Sequence, residues 1–226
     1  LRREVPERVM ADGRVRTPLD EGAVLVAAKA LAEAGCAALV IHFLHAYANP
    51  AHELRAAQIV RAIWPNPFVT AGHEIISEYR EYERGVTAAV NGSVQPVLDR
   101  YLSRLTNELS ERGFRRRLLI MRGNGGTASA EVVTRSAVHT VMSGPASGVI
   151  AAAHTGSMAG YPNLVTYDMG GTSTDVALIQ DGVPLVSSEL ELEYAMPIHV
   201  PMVDVHTVGA GGGSVAVVDG MGLHLV

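Results

Sequence analysis

Cysteine is almost missing from this chain: Cys36 is the only one in 226 residues. An intrachain disulfide is therefore excluded, and the composition suits a reducing cytoplasm. Cys36 lies in "AGCAALVI", where a small residue enters an apolar run, and a lone thiol in that setting packs as a small hydrophobe. Charge is scarce as well, at 18% of residues with a formal net charge of −5 and a sequence pI near 6.0. The one basic run is Arg115-Arg116-Arg117. With no basic stripe to track phosphates, nucleic acid is not an expected partner. Long apolar runs are missing too. The best, "CAALVIHFL", is strand-sized and falls short of the roughly 18 residues that span a bilayer, so no membrane is expected either. The first 22 residues are charged and hold no apolar segment of the kind a secretory signal needs. The chain opens on Leu1, in what reads as mid-strand, and we expect a piece of a longer polypeptide. No fixed-period repeat or low-complexity segment is present.

What is present is apolar: 48% of residues are hydrophobic, enough for one large domain or two smaller ones. Asp12-Gly13 predicts a hairpin over 4–17, because Asp-Gly accepts the positive φ of a tight turn. A helix is predicted from Asp20, with Val24, Ala27, Ala28, Leu31 and Ala34 at helical spacing and Gly35 ending it. "CAALVIHFL" reads as a buried strand, and Pro50 opens a second helix that "PNP" stops. "FVTAG" is a short strand. A long helical region runs from about Ser77, its expected cap, to Arg112, interrupted near Asn91-Gly92. This alternation of strand and helix predicts an α/β architecture with a largely parallel sheet. After residue 162 the pattern changes to consecutive strands, at 163–168, 174–180, 184–194 and 214–219. A boundary is expected there, with one unit over 1–160 and a second over 161–226.

The chemistry concentrates in "LVTYDMGGTSTDVALIQDG", residues 164 to 182. Gly170 and Gly171 let the backbone approach a ligand closely and turn several N–H groups toward one point, which makes an anion-binding concavity. The hydroxyls of Thr172, Ser173 and Thr174 add neutral donors suited to phosphate oxygens. Asp168 and Asp175 fit poorly beside a bare phosphate. Mg²⁺ resolves the conflict, because it is held by few carboxylates together with waters and substrate phosphates. The pattern therefore points to a metal–nucleotide site, with the two aspartates as metal ligands and catalytic candidates. An ordinary hairpin explains Gly-Gly but not three successive hydroxyls flanked by acids.

Four segments, "NGGTASAE", "SGPASGVIAAA", "YDMGGTSTDVALI" and "VPMVDVHTVGAGGGSVAVVD", occur in an order and spacing that resembles the hydantoinase/5-oxoprolinase A-subunit family, which belongs to the actin-like ATPase superfamily. The resemblance covers nearly the whole chain. It implies incomplete actin-like (ribonuclease H-like) lobes, a mixed sheet with flanking helices: residues 1–160 as the remainder of the first lobe with its connecting helix, and 161–226 as the start of the second with its phosphate-binding hairpin. It further implies ATP and Mg²⁺ as cofactors, and a parent enzyme that opens a hydantoin or 5-oxoproline ring through a phosphorylated intermediate, cytoplasmic, with a B-type subunit or fused domain as partner. By itself the piece is expected to be inactive. An acetone carboxylase β subunit, which activates a ketone, and a non-catalytic nucleotide-binding module are the alternatives.

Other segments are ambiguous. "HTVGAGGGS" is either a flexible connector or, by the resemblance, a backbone cradle in which Gly209, Gly211, Gly212 and Gly213 approach phosphate or ribose. Asp204 and His206 alternate along a strand, and either share a metal or form a buried hydrogen bond that braces the loop. "HEIISE", residues 73 to 78, lacks the second imidazole of a zinc helix. "SGPASG" has the wrong order for a nucleophile elbow, which leaves Ser143 and Ser147 as positioning candidates. "RGNGGT", with Asn124, Gly125 and Gly126, is either a cleft lining or a plain turn.

Overall fold

The protein was analysed as a computed structural model that describes residues 1–192, 196–219 and 222–225. In chain order the elements are β1 (Arg8–Val9), β2 (Val15–Thr17), α1 (Glu21–Glu33), β3 (Leu39–Ile41), α2 (Ala51–Arg61), β4 (Val69–Ala71), α3 (Gly72–Ile75), α4 (Glu81–Glu111), β5 (Leu119–Met121), β6 (Thr127–Ser129), α5 (Ala130–Arg135), α6 (Ser143–Met158), β7 (Leu164–Met169) and β8 (Thr174–Gln180). There follow β9 (Val183–Pro184), β10 (Val186–Ser187), β11 (Leu190–Leu192), β12 (Met196–Ile198), β13 (Met202–Val203), β14 (Val205–Val208), β15 (Ala216–Asp219) and β16 (Gly222–Leu225). This is a mixed α/β chain. Its contacts separate it into two compact units, one of Leu1–Ile120, Ser129–Val138 and Glu189–Val200, the other of Met121–Ala128, His139–Ser188 and Pro201–Val226.

In the first unit the local signals act as read. Gly13 turns the β1–β2 hairpin at φ 81°. The Asp20 carboxylate caps α1 by accepting from Ala23 N at 2.9 Å, and Gly35 ends the helix region at φ 78°. Strands β3 and β4 pair in parallel, Leu39 with Val69 and Ile41 with Ala71. Val24 and Ala28 of α1 and Ala56, Ala57 and Val60 of α2 bury their apolar faces against them, with Trp64. The connection from β3 to β4 runs through α2, the crossover that parallel pairing requires.

Two expectations about this unit are corrected. Helix α4 is continuous from Glu81 to Glu111, with Arg80 rather than Ser77 at its N-cap. Asn91 and Gly92 do not interrupt it. Asn91 is fully buried, its Nδ2 donating to Thr70 Oγ1 at 3.1 Å and its Oδ1 accepting from Val138 N at 3.1 Å. Gly92 lets α4 lie against β3, since a Cβ there would stand 2.6 Å from Val40 Cγ2.

The expected largely parallel sheet is corrected as well. Among the described strands, parallel pairing is confined to β3 and β4, and the second unit is antiparallel, with β14, β8 and β7 in that order and β9 on β8. Short turns join β7 to β8 and β8 to β9, and a short turn returns the chain antiparallel. The expected strand 184–194 is, as far as residue 192, not one strand but the separate segments β9, β10 and β11; residues 193 and 194 lie outside the described residues. Helix α6 packs on one face of the sheet, where Ala146, Val149 and Ala153 meet Ala177, Ile179 and Val203. No described helix is long and apolar enough to cross a membrane.

Candidate functional site

Strands β7 and β8 place Asp168 directly opposite Asp175 and Met169 opposite Thr174. Gly170 N donates to Ser173 O at 2.8 Å and closes the tip. On the other side of β8, Thr207 of β14 lies opposite Asp175. Alternate residues of a strand share a face, so Leu164, Thr166 and Asp168, Asp175, Ala177 and Ile179, and Val205 and Thr207 form one side of the sheet. Its apolar members pack on α6. Three of its polar members, Asp168, Asp175 and Thr207, lie beyond that patch toward the tip. Position 148 of α6 is close by: a Cβ on Gly148 would stand 3.9 Å from Asp168 Oδ2.

The two carboxylates are differently held. Asp175 is half-buried, and its Oδ1 accepts the Thr207 hydroxyl at 2.6 Å. Asp168 is exposed. Like charges directly opposite across a strand pair repel, and among the described residues no Lys, Arg or His side chain forms an ion pair with either acid. A cation between or beside them removes that repulsion. No group of three or more His, Cys, Asp or Glu side chains gathers into a metal cage among the described residues. Two carboxylates with coordination positions left for water and phosphate fit Mg²⁺ better than zinc, which prefers a closed nitrogen and sulfur set.

The glycine loop backs this tip. Gly212 N donates to Gly170 O at 2.9 Å, Gly213 N to Gly171 O at 2.8 Å, and Gly211 N to Ser214 Oγ at 3.1 Å. Glycine is required at 211, where a Cβ would stand 2.7 Å from Gly170 O and 2.8 Å from Ser173 N. The N–H groups of Gly212 and Gly213 thus hold the hairpin, while Gly209 faces open space. Thr174 is buried, and its hydroxyl donates to Ala210 O at 2.7 Å. Thr172 is exposed and Ser173 half-buried. Gly171 has nothing near the position of a Cβ. The open part of the tip is therefore Gly170 to Ser173.

The remaining candidates lie elsewhere or are otherwise engaged. Asp204 precedes β14 and so falls outside the alternation of that strand. Its Oδ1 lies 3.9 Å from Nε2 of a largely exposed His206, too far for a hydrogen bond. Asn124, Gly125 and Gly126 form a tight turn, with Gly125 at φ 81° and Gly126 N donating to Asn124 Oδ1 at 3.0 Å. Ser147 returns its hydroxyl to Ser143 O at 2.7 Å inside α6.

A polar cluster in the first unit escaped the sequence reading. Glu53 and Arg84 are fully buried. Glu53 accepts from Phe43 N at 2.8 Å, His73 N at 2.8 Å and His73 Nδ1 at 2.7 Å. Arg84 donates to Glu78 O at 3.1 Å and Phe43 O at 2.6 Å. The signal was available: Glu53 shares a helical face with Ala56, Ala57 and Val60, and Arg84 with Ala88 and Asn91, which puts a charge on each buried stripe.

The fold is thus a mixed α/β assembly whose hairpin presents an acid pair on a glycine-backed tip. The chain matches the hydantoinase/oxoprolinase family over residues 84–225 and the N-terminal region of that family over residues 1–64. It belongs to this family. It is 39% identical over 224 residues to the caprolactamase subunit alpha of Pseudomonas jessenii, covering 99% of this chain and 32% of that protein. Among solved structures it resembles the ATP-dependent caprolactamase of Pseudomonas jessenii, with TM-score 0.85, 38% identity and coverage of 96% of this chain and 31% of that one. It also resembles a nucleotide-free acetone carboxylase, with TM-score 0.76, 31% identity and coverage of 98% and 32%. The chain therefore spans about a third of the length of these relatives.

Proposed function

We propose that this chain supplies part of the Mg-ATP site of a cytoplasmic enzyme that uses ATP to activate the carbonyl of a cyclic amide, a hydantoin or 5-oxoproline type of ring, for opening by water. The observation that carries the reading is the pair Asp168 and Asp175, opposed across β7 and β8 on one sheet face, with no ion-pair partner for either among the described residues. Membership of the hydantoinase/oxoprolinase family and likeness to an ATP-dependent caprolactamase support it. In this reading residues 1–160 belong to one actin-like lobe, with α6 as the connecting helix, and 161–226 open the second.

Asp168 and Asp175 hold the metal directly or through water, and one of them orients the attacking group. Mg²⁺ supplies charge neutralisation at the phosphates. The open tip, Gly170 to Ser173, receives phosphate oxygens through its backbone and hydroxyls. Gly211, Gly212, Gly213 and Thr174 serve that tip by fixing its shape. Phosphoryl transfer rests on positioning and charge stabilisation rather than on a protein nucleophile, which agrees with a site made of acids, hydroxyls and glycines. A B-type subunit or fused domain completes the enzyme in this reading. The acetone carboxylase likeness keeps ketone activation as the second reading. Ring opening of a hydantoin or lactam, as against activation of a ketone, separates the two.

In the full-length protein, Asp168→Asn is expected to lower Mg-ATP-dependent turnover at least about 100-fold, the scale of a lost electrostatic element at a transition state. The circular dichroism spectrum stays unchanged. Turnover at the unsubstituted rate overturns the metal role.

A further inference from the structure

A cleft of about 610 Å³ opens between β4, α3 and α5, and its lining belongs wholly to the first unit. Val69 and Thr70 of β4, Ile75 of α3, and Val132 and Arg135 of α5 line it. Its volume falls within the range of small-molecule sites, which are mostly apolar with a few placed polar groups.

The cleft is held open by buried structure. Asn91 Nδ2 donates to Thr70 Oγ1 at 3.1 Å and to Arg135 O at 3.3 Å, and its Oδ1 accepts from Val138 N at 3.1 Å. One fully buried amide thus ties β4 to the end of α5 and fixes their spacing before any ligand arrives. Val133 is the residue by which α5 enters the core, at 1% exposure, and its neighbour Val132 is left 52% exposed toward the cleft.

Two arginines reach this cleft, under unlike conditions. Arg61 is engaged: it donates to Glu74 at 2.6 Å and 3.1 Å and to Val69 O at 3.1 Å, so its charge and that of Glu74 cancel. Arg135 is exposed, and among the described residues no ion pair or hydrogen bond engages its guanidinium. Glu131 stands one turn earlier on α5, at a spacing that commonly pairs. It is drawn to Ser129 instead, whose hydroxyl holds its carboxyl below the ordinary carboxylate range. An apolar lining is therefore joined to one uncompensated cation.

We propose that this cleft binds a small organic monocarboxylate, with its carboxylate on the guanidinium fork of Arg135 and its apolar chain on Val69, Ile75 and Val132. The planar fork matches a carboxylate through two parallel N–H···O bonds. One uncompensated cation balances one negative charge. A phosphate dianion would bring a second charge and further oxygens against apolar side chains, where unpaired polar groups are costly. A neutral ligand would leave Arg135 without a partner. The site does not rest on the Mg-ATP reading, which concerns the second unit.

The test uses the full-length protein, with hexanoate as the probe and hexanol as its neutral counterpart. Calorimetry should show saturable hexanoate binding with Kd on the order of 1 mM, the scale for a ligand of this size. Hexanol and inorganic phosphate should each bind at least about 10-fold more weakly, as should hexanoate to Arg135→Gln, for the loss of a charge-assisted contact. Arg135→Lys keeps the charge without the fork and should fall between. Val132→Trp keeps the charge but fills the cleft, and it should also weaken hexanoate. Both substituted positions are exposed, and thermal melts check that the fold is kept. Unchanged hexanoate affinity in Arg135→Gln or in Val132→Trp overturns the proposal. So does hexanol or phosphate binding as tightly as hexanoate, or the absence of hexanoate binding by the folded wild-type protein.

Discussion

Glu53 and the Asp168–Asp175 pair place carboxylates in one chain under opposite conditions. Glu53 has no solvent exposure, and its two oxygens accept two backbone N–H groups and an imidazole. Asp168 is exposed and Asp175 half-buried, and between them they accept one side-chain hydrogen bond, from Thr207. A buried charge persists only where its hydrogen bonds are satisfied, so the carboxylate of Glu53 is committed to local structure before any ligand arrives. Apart from Asp175 Oδ1, which Thr207 engages, the oxygens of the hairpin acids accept no side-chain hydrogen bond among the described residues, and the two acids repel each other. Binding capacity and structural commitment are thus assigned to different carboxylates.

Removing each acid in turn tests this contrast most strongly. Glu53→Ala leaves three donors without their acceptor in a closed interior, and loss of one partner of a buried charge network costs about 3–5 kcal/mol. Asp168→Ala, measured without Mg²⁺, should leave the urea midpoint unchanged or raised, since a repulsion disappears. Comparable losses for the two variants would erase the distinction.

A smaller effect is expected where the loop meets the hairpin. Gly211→Ala drives a methyl group against Gly170 O and Ser173 N, at 2.7 Å and 2.8 Å. Both neighbours are backbone, so the loop must move away, at about 1–3 kcal/mol for overpacking. Gly171→Ala meets open space and should leave the urea midpoint where it is. Equal losses at the two positions would show that the glycine loop is not the element that shapes the tip.

The hairpin could be read from the sequence because its information is local. Gly170-Gly171 marks the turn and period-two alternation marks the strands, which together put Asp168 and Asp175 on one face. The cap at Asp20 and the turn at Gly13 were legible for the same reason. Asn91-Gly92 misled because residues that commonly break a helix sit here for long-range reasons: an amide that ties α4 to Thr70 and Val138, and a missing side chain where β3 passes. Antiparallel pairing in the second unit depends on which strands meet, and alternation along one strand does not encode that. The Glu53–His73 contact joins residues 20 apart through a strand crossover. Glu53 on the apolar stripe of α2 announced a buried acid but could not name its partner.

The smallest expected effect concerns protons at the buried cluster. His42 titrates below the ordinary histidine range in the folded chain, chiefly through burial and then through Arg84. The unfolded chain therefore takes up the proton first as pH falls. Stability attributable to His42 is complete above the unfolded value of about 6.5, and it declines as pH drops from there through the lower folded value. His42→Gln removes that dependence, so the difference between wild-type and variant urea midpoints should shift in favour of the variant between pH 7.5 and pH 5.5. The size is limited because His42 keeps 27% of its side chain exposed. Asp168→Asn should not alter this dependence, since it leaves the His42 cluster intact. If His42→Gln instead left the pH dependence untouched, burial at the carboxyl edge of β3 would not set the charge of this imidazole, and the contrast between committed and available groups would narrow to Glu53 alone.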